Sequence, residues 1–311
     1  MDTMKRIAIL GATSHIARSL IVYFDESRRY ELTLFARNIP RITEFLKTQG
    51  CRECTLAEDF TTLSQGNFDV ILNCIVNRDP ADPSKGFDYS IFTTMEFFDN
   101  LALDYLHEHP NCRYIHFSSG AVFGGSYDSP VTEDTQALFP INRITSADYY
   151  QVVKMYAEAK HRASPDLNMI DIRIFAYFSR FLDLDSRFLL AEMISCVQQE
   201  RVFETDDVDI FRDYTHPKDL FQLVQLCLEP PSINRALDLY SAKPVSKLEL
   251  LRRFEEKFGL KYRIVANRVR NVKTGVKPVY YSTNRKTAEI GYAPQYSALE
   301  TALEETKFIL G

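Results

Sequence analysis

Apolar residues recur with two different spacings over the first 175 residues. Short runs rich in β-branched and aromatic residues alternate with longer segments in which apolar residues return every three or four positions, a pattern typical of strands separated by amphipathic helices. The predicted strands cover 6–10, 31–36, 53–56, 70–76, 114–118 and 169–175, and the predicted helices cover 16–24, 40–49, 91–107 and 150–161. Because such units join parallel strands through right-handed crossovers, we predict an α/β fold with a Rossmann-type doubly wound parallel sheet.

The pattern loosens after residue 175. Helical spacing recurs over 187–199, 217–228, 246–258 and 299–310, and 236–240 has the pattern of a strand. We predict a larger domain over 1–177, to which later segments such as 212–240 return. A smaller α+β domain over 178–311 completes the chain.

Composition narrows the range of partners. The 311 residues include 37 Lys and Arg against 42 Asp and Glu, a formal charge of −5. This balance argues against nucleic acid or an anionic membrane as the main partner, so a small metabolite is expected. No stretch approaches the roughly 18 apolar residues of a membrane span, and the start of the chain lacks the pattern of a signal peptide. The six scattered cysteines predict reduced thiols and no metal site, and the expected location is the cytoplasm.

The loop after the first predicted strand is a candidate phosphate-binding turn. Gly11, Ser14 and Ala17 approximate a GxxGxxG loop in which the last two glycines are replaced. A turn in this place directs backbone N–H groups and a helix N-terminus at a pyrophosphate. The candidate cofactor-binding residues of this loop are Gly11, Thr13, Ser14, His15 and Ile16. A plain strand-to-helix turn with small residues for packing is the alternative.

The end of the second strand distinguishes the two nicotinamide dinucleotides. An acid there binds the ribose 2′-hydroxyl of NAD, whereas an arginine accommodates the 2′-phosphate of NADP. This chain has Arg37 at that position and Arg41 one turn later, so NADP is predicted and NAD is possible. Two alternatives stay open: Arg37 as a solvated charge, and Arg18 as the phosphate ligand. Asp59 and Phe60, after the third strand, are predicted to contact adenine.

A tyrosine and a lysine four residues apart, Tyr150 and Lys154, share one face of a predicted helix. Hydride transfer at a carbinol carbon needs a group that exchanges a proton with the oxygen, and a tyrosine with a pKa near ~10 serves at neutral pH only if that pKa is lowered. The ammonium of Lys154 would lower it. Ser119, at the end of an upstream strand, is placed to donate a hydrogen bond to the same oxygen. These three residues are the predicted catalytic set.

With this set the chain resembles the extended short-chain dehydrogenase/reductase family, which comprises sugar-nucleotide epimerases, dehydratases and reductases. Several segments follow the order of the family's motifs. Residues 118–124 are similar to SSxxVYG, 150–154 to YxxxK, 173–175 to the LRxFN strand, 212–220 to RDYxHVxDLA, 239–250 to YNVGxGxPVSxxEL and 282–294 to DTSKAxxxLGWxP. Glu158 also stands where the family's helix often has glutamate.

The resemblance implies a function for each domain and a set of ligand-binding residues. The domain over 1–177 would bind the dinucleotide, with Lys154 also holding the nicotinamide ribose, and the domain over 178–311 would bind a nucleotide-sugar. The implied substrate-binding residues are Tyr177, Arg180, Arg212 and Arg270, with Arg268 as a rival of Arg270. Arg212 could instead form a structural ion pair with Asp213 or Asp219. A homodimer through the helices 91–107 and 150–161 is also implied.

Departures from the family pattern restrict which reaction is expected. The 4,6-dehydratases place Asp-Glu where this chain has Gly120 and Ala121, so a dehydratase of that type is not expected. The first hypothesis is an NADP-dependent reductase of a nucleotide-activated keto-sugar of the 4-keto-6-deoxyhexose type. The alternative is an NAD-dependent 4-epimerase of a nucleotide-sugar. A third hypothesis is a non-catalytic sensor or scaffold that binds a dinucleotide.

Overall fold

The structure is a computed structural model that describes residues 4–76, 90–186, 188–230, 232–266 and 277–311. The chain divides into two compact units. The first consists of Met1–Gly124, Ala137–Arg173 and Val224–Leu237, and the second consists of Gly125–Gln136, Ile174–Leu223 and Asp238–Gly311. The chain therefore returns to the first unit after it has entered the second.

Strands and helices in the described ranges are numbered along the chain. The strands are β1 (Lys5–Leu10), β2 (Tyr30–Phe35), β3 (Thr55–Ala57), β4 (Val70–Asn73), β5 (Arg113–Ser119), β6 (Met169–Ile174), β7 (Ala176–Tyr177), β8 (Phe203–Thr205), β9 (Phe211–Arg212), β10 (Tyr214–Thr215), β11 (Asn234–Leu239), β12 (Val245–Ser246), β13 (Tyr262–Ile264) and β14 (Val279–Tyr280). The α-helices are α1 (His15–Ser27), α2 (Ile39–Gln49), α3 (Ser90–Glu108), α4 (Tyr149–Arg162), α5 (Leu189–Gln198), α6 (Pro217–Cys227), α7 (Lys247–Phe258) and α8 (Ala298–Leu310).

A seven-stranded parallel sheet with the order β11-β6-β5-β4-β1-β2-β3 is the centre of the fold. From β1 the strands extend to both sides, which is the doubly wound arrangement predicted from the sequence. Ile7 of β1 lies opposite Leu32 of β2 and Val70 of β4. Residues 7–10 are fully buried, as expected where helices cover both faces of a parallel sheet. The predicted fold class is confirmed.

The strand β4 is shorter than predicted. It ends at Asn73 rather than at residue 76 because the side-chain oxygen of Asn73 accepts the backbone N–H of Ile75 at 3.1 Å. Such a side-chain hydrogen bond forms a turn in place of the next strand residue. The chain therefore leaves the sheet beside the end of β1.

The helices start and end at recognisable caps. α2 begins after Asn38, whose side chain accepts the N–H of Arg41 at 2.9 Å, and it ends at Gly50 with a φ of +66°. In α8, Ser297 and Glu300 form a capping box. No helix in the described part of the chain has both the length and the apolar character needed to cross a membrane.

The second unit has an apolar core of its own. Side chains of α5, α7 and α8 form most of it, with Met193, Phe254 and Ala302 fully buried. Its strands pair in three small sheets, β10-β7, β12-β9-β14 and β13-β8. This mixture of helices and short strands is the α+β architecture predicted for the C-terminal part.

Candidate active site

The turn after β1 requires glycine at its first position. Gly11 has a φ of +77°, and a Cβ there would lie 2.8 Å from Cγ1 of Ile75. The N–H groups of Gly11 and Ala12 both donate to the carbonyl of Phe35, each at 3.0 Å. The turn is therefore fixed against the ends of β2 and β4, and the chain enters α1 without a side chain in the bend.

Ser14 is the N-cap residue of α1. Its Oγ accepts the N–H of Ala17 at 3.3 Å, and its own N–H donates to the carbonyl of Gly11 at 2.9 Å. Capping accounts for a serine where the family has glycine, because serine is a preferred N-cap residue. His15 and Ile16 form the first turn of α1, so the candidate loop residues all lie at the positive end of this helix. These features fit a bound dinucleotide phosphate.

A cavity of about 250 Å³ is lined by Thr13 of this loop. Arg18 and Arg41 also line it, and the guanidinium of Arg18 lies 6.0 Å from the ring centre of Phe45. Glu44 and Thr48 line the same cavity, so its two arginines share it with one acid. Arg37 is exposed beyond the end of β2, in front of the N-cap of α2.

Asp59 and Phe60 both have structural partners. The Asp59 carboxylate caps a short 3₁₀ helix and accepts the backbone N–H of Thr61 at 2.9 Å and its hydroxyl at 2.7 Å, which lowers the pKa of Asp59. Phe60 is buried, and its ring centre lies 4.8 Å from that of Phe98. Their predicted contact with adenine stays a prediction.

Ser119 ends β5 and begins a one-turn 3₁₀ helix. Its Oγ accepts the N–H of Ala121 at 3.1 Å. The turn closes at Gly124, which has a φ of +60° and at which a Cβ would overlap the carbonyl oxygen of Leu138. The glycine that ends the SSxxVYG-like segment is therefore required by backbone geometry.

The position of Tyr150 is set by the turn before α4. Asp148, the N-cap residue, accepts the N–H and the hydroxyl of Thr145 at 2.9 and 3.0 Å, and it accepts the side-chain amide of Gln151 at 2.7 Å. Tyr150 follows in the first turn of α4 and is half-buried. α4 packs against the 3₁₀ helix that Ser119 begins, so the structure brings these two predicted catalytic elements together.

Lys154, one turn further along α4, is only 1% exposed. Its Nζ donates to the carbonyl of Phe117 at 2.6 Å and to Nε2 of His116 at 3.0 Å. These contacts use two of the three N–H groups of the ammonium, so a third can serve another acceptor. Burial lowers the pKa of Lys154 to about 8, against the attraction of the carboxylates of Asp171 and Asp99.

Glu158 connects the ends of β5 and β6. It accepts the hydroxyl of Ser118 at 2.6 Å, and the Arg173 guanidinium binds it through Nε at 3.0 Å and Nη2 at 2.6 Å. The guanidinium also lies 4.8 Å from the ring centre of Phe123. The motif residues Glu158 and Arg173 are therefore structural here, and they hold the residue adjacent to Ser119.

A buried series of hydrogen bonds continues from His116. Its Nδ1 lies 2.7 Å from Oδ1 of Asp171, and that oxygen also lies 2.8 Å from Nδ1 of His161. Nε2 of His161 lies 2.9 Å from Oδ1 of Asp99, whose other oxygen binds Lys160 at 2.5 Å. Burial and the Lys154 charge lower the pKa of His116 to about 4. Burial also lowers the pKa of His161, but the two carboxylates outweigh it and raise that pKa to about 9.

This series was not predicted from the sequence. Its signal was present as ionisable residues flanked on both sides by apolar ones, His116 in β5 and Asp171 in β6. A buried ionisable residue in such a strand needs a partner, so the two positions predict each other once the strands are known to be adjacent.

Two clusters have the residue types of metal sites within the described ranges. In the first, His116 accepts from Lys154 and His161 lies between two carboxylates, so the ring nitrogens already have partners. In the second, Nδ1 of His216 accepts the N–H of Lys218 at 3.1 Å. The neutral ring then has its proton on Nε2, which faces Glu304 and Glu305 and cannot bind a metal in that state.

The raised pKa of His161 makes stability depend on pH. A group with a folded pKa above its unfolded value stabilises fully below the unfolded pKa of ~6.5, and this contribution is lost as pH rises towards about 9. We expect the His161 contribution to the free energy of unfolding to fall by about 1.5 kcal/mol between pH 6.5 and 8. Urea unfolding of the wild type and of His161→Gln at both pH values measures it. Equal changes in the two proteins would show that folding does not raise the pKa of His161.

In the second unit, Arg212 and Lys277 form a cationic site with two tyrosines. Nη1 of Arg212 donates to the carbonyl of Lys277 at 2.7 Å, and the Lys277 ammonium lies 4.7 Å from the ring centre of Tyr127 and 4.6 Å from that of Tyr280. Burial and the charge of Arg212 lower the pKa of Lys277 to about 8. In the described ranges neither cation has a carboxylate partner, which favours an anionic ligand. Lys277 was missed by the sequence analysis.

The two acids considered as structural partners of Arg212 have other donors. Asp213 accepts the backbone N–H of Ser241 at 3.2 Å, and Asp219 accepts the N–H of Gln295 at 2.9 Å and of Tyr296 at 3.2 Å. In the described residues both carboxylates therefore bind backbone N–H groups, and neither forms a structural ion pair with Arg212.

The other predicted substrate residues differ in their surroundings. Arg180 binds the buried carboxylate of Glu305 through Nη2 at 2.6 Å, and its guanidinium lies 3.4 Å from the ring centre of Phe308. Its charge is thus already engaged. Tyr177 ends the short strand β7, opposite Thr215 of β10. Arg270 and its rival Arg268 lie outside the described residues.

The fold and the family comparison identify an enzyme of the extended short-chain dehydrogenase/reductase type. The profile of the NAD dependent epimerase/dehydratase family matches residues 7–239. The chain belongs to this family. A search of curated proteins found no match.

Solved structures share the fold over nearly the whole chain. UDP-glucuronic acid 4-epimerase from Bacillus cereus, in complex with UDP-glucuronic acid and NAD, has 15% sequence identity and a TM-score of 0.79, covering 98% of this chain and 99% of that chain. UDP-N-acetylglucosamine 4-epimerase from Methanobrevibacter ruminantium has 15% identity and a TM-score of 0.80, covering 98% of each chain. ADP-L-glycero-D-manno-heptose-6-epimerase from Helicobacter pylori has 13% identity and a TM-score of 0.81, covering 100% of this chain and 99% of that chain.

Proposed function

We propose that the protein is a nucleotide-sugar 4-epimerase. The observation that carries the proposal is the set Ser119, Tyr150 and Lys154, held by β5 and α4, together with Gly120 and Ala121 in place of a dehydratase acid pair. The epimerases among the solved structures with this fold support the same reaction. This reverses the order of the two main hypotheses from the sequence, because the comparisons give no specific support to a reductase.

The side chains have defined tasks in this reaction. Tyr150, as a phenolate, takes the proton of the sugar 4-hydroxyl while Ser119 donates a hydrogen bond to the same oxygen. In this proposal the Lys154 ammonium stabilises the phenolate by its charge and uses its third N–H for the nicotinamide ribose. The bound dinucleotide supplies a hydride acceptor that later returns the hydride. Tyr150 then gives its proton back to the oxygen of the 4-keto sugar. The epimer forms when the hydride returns to the opposite face of that sugar, with no net oxidation and no net proton uptake.

The substrate's diphosphate is assigned to Arg212 and Lys277. Both are cations close to tyrosine rings, and a diphosphate would satisfy the charge that Lys277 and Arg212 leave uncompensated. Arg180 is a weaker choice because Glu305 already binds it in two hydrogen bonds. Tyr177 and Arg270 remain proposed contacts of the sugar or nucleotide on the strength of the family resemblance.

Two assays separate the epimerase from the reductase. A panel of UDP- and ADP-activated hexoses is incubated with the purified protein, and the dinucleotide released on denaturation is identified. An epimerase retains NAD through its cycle, so stoichiometric NAD should appear and added NADPH should not be consumed. Steady NADPH oxidation with nucleotide-activated 4-keto sugars, and no retained NAD, would contradict the epimerase.

The second candidate, an NADP-dependent reductase, is favoured by one observation. Arg18 and Arg41 line the cavity beside the phosphate-binding turn, and Arg37 replaces the acid that selects NAD. A 2′-phosphate could bind Arg37 after β2 or the two arginines of this cavity. A reductase exchanges its cofactor in each turnover and draws on NADPH.

Replacement of Arg37 by Asp tests this cofactor choice. If Arg37 binds the 2′-phosphate, the variant should lose affinity for NADP by about ten- to a hundredfold, because a charge-assisted hydrogen bond is worth roughly 1.5–3 kcal/mol. Affinity for NAD should rise, since the aspartate offers its 2′-hydroxyl an acceptor. Calorimetric titration of both dinucleotides into both proteins measures this. Arg29→Asp, on the exposed turn before β2, is the matched charge control. Unchanged NADP affinity would make Arg37 a solvated charge.

The assembly and the location are also proposed. Phe97 of α3 and Tyr156 of α4 are half exposed, which suits the predicted homodimer through these helices. A monomeric mass in solution would contradict it. A cytoplasmic location stays a prediction from the sequence.

A further inference from the structure

The hydrogen bonds around Lys154 fix where the protons lie. Because an ammonium can only donate, Nε2 of His116 accepts from Lys154, and Nδ1 of His116 must then hold the proton that it donates to Asp171. His161 lies between Asp171 and Asp99, both of which accept, so both of its nitrogens donate and the ring is an imidazolium. Neutral His116 thus separates two oppositely charged groups.

We propose that His116, Asp171, His161 and Asp99 form a buried positioning relay that keeps the ammonium of Lys154 charged and aimed. The inference rests on the proposed function only in that Lys154 serves Tyr150. The relay residues are at most 3% exposed, so solvent does not stabilise their charges. Starting from Lys154, the series consists of a cation, the neutral ring of His116, the anion Asp171, the cation His161 and the anion Asp99.

The reason for the relay lies in the burial of Lys154. A cation removed from water loses its proton unless nearby groups stabilise the charge. Asp171 polarises His116, which improves Nε2 as an acceptor, and His161 orients Asp171 from the other side. Two partly exposed cations also bind the carboxylates of the relay: Lys160 binds Asp99, and Arg162 binds Asp171 at 2.8 Å.

Besides the relay residues, other charged or titratable groups face this region. They are Cys74 after β4, Tyr114 on β5, Arg173 on β6, and Glu158, Lys160 and Arg162 on α4. Cys74 stays a thiol because burial raises its pKa, and Glu158 is occupied by Arg173. His116 is therefore the side chain that links Lys154 to a carboxylate by hydrogen bonds: it accepts from Lys154 and donates to Asp171.

Substitutions at His116 test whether its hydrogen bond to Lys154 keeps the ammonium charged. His116→Gln retains an acceptor that can reach the Lys154 ammonium, whereas His116→Leu removes it and His116→Asn is too short to reach it. The proton affinity of Lys154 is read from the 13Cε shifts of labelled lysines over pH 6–11, with Lys154→Met identifying the signal and circular dichroism verifying the fold. This measurement needs no turnover, so it remains valid if the proposed reaction is wrong.

We expect the Lys154 midpoint to move down by at least one pH unit in His116→Leu and by much less in His116→Gln. If the leucine variant does not fold, His116→Asn takes its place with the same expectation. In an active enzyme the alkaline limb of kcat should move with the midpoint while KM for the nucleotide-sugar is unchanged. A midpoint that is the same in the wild type and in the folded leucine or asparagine variant would overturn the proposal. So would 15N histidine spectra that show a neutral His161 ring at pH 7.

Discussion

Replacing Tyr150 by Phe should lower kcat by about 10²–10⁴-fold, the usual effect of removing a group that transfers a proton in the rate-limiting step. The substitution removes only the phenolic oxygen. The contacts that position the start of α4 are made by Asp148, so the fold and the binding of dinucleotide should persist. Steady-state kinetics and a cofactor titration on the same preparation measure both.

The matched control for this substitution is Tyr149→Phe, one residue earlier in α4. It should retain nearly full activity. Equal activity of Tyr150→Phe and the wild type would favour a non-catalytic sensor or scaffold, the third hypothesis from the sequence.

Replacing Glu158 by Leu should destabilise the first unit by roughly 3 kcal/mol or more, because it leaves a partly buried arginine without its ion-pair partner. The Glu158 side chain is 9% exposed and binds both Ser118 and Arg173. Its loss also frees the end of β5, so activity should fall together with stability. Urea unfolding of the variant and of Glu108→Leu, at the exposed end of α3, measures the difference. Similar small losses in both variants would show that Glu158 has no structural role.

The fold could be predicted because its signals are local and repeated. Apolar runs of strand length alternate with helical spacing along residues 1–175, and the structure has a strand or a helix at each predicted segment. The ends of elements were less predictable, since they depend on single side chains. Asn73 ends β4 through one hydrogen bond to the backbone of Ile75.

In the candidate site, too, some residues could be predicted from the sequence and others could not. Ser119, Tyr150 and Lys154 could be found because they stand at fixed spacing on predictable elements. Contacts between distant parts of the chain were not accessible, since His116 and Asp171 are 55 residues apart and meet only when β5 and β6 lie side by side. Lys277 was missed for a similar reason, because its nearness to Arg212 depends on the pairing of β14 with β9.

The most direct test of the proposed activity is an NMR time course with the panel of UDP- and ADP-activated hexoses and no added dinucleotide. If the protein is a 4-epimerase, at least one sugar converts to a mixture of its 4-epimers, with the same final ratio from either epimer and conversion at least about a hundredfold slower with Tyr150→Phe. Unchanged spectra for every member of the panel, from protein that contains stoichiometric NAD, would contradict it.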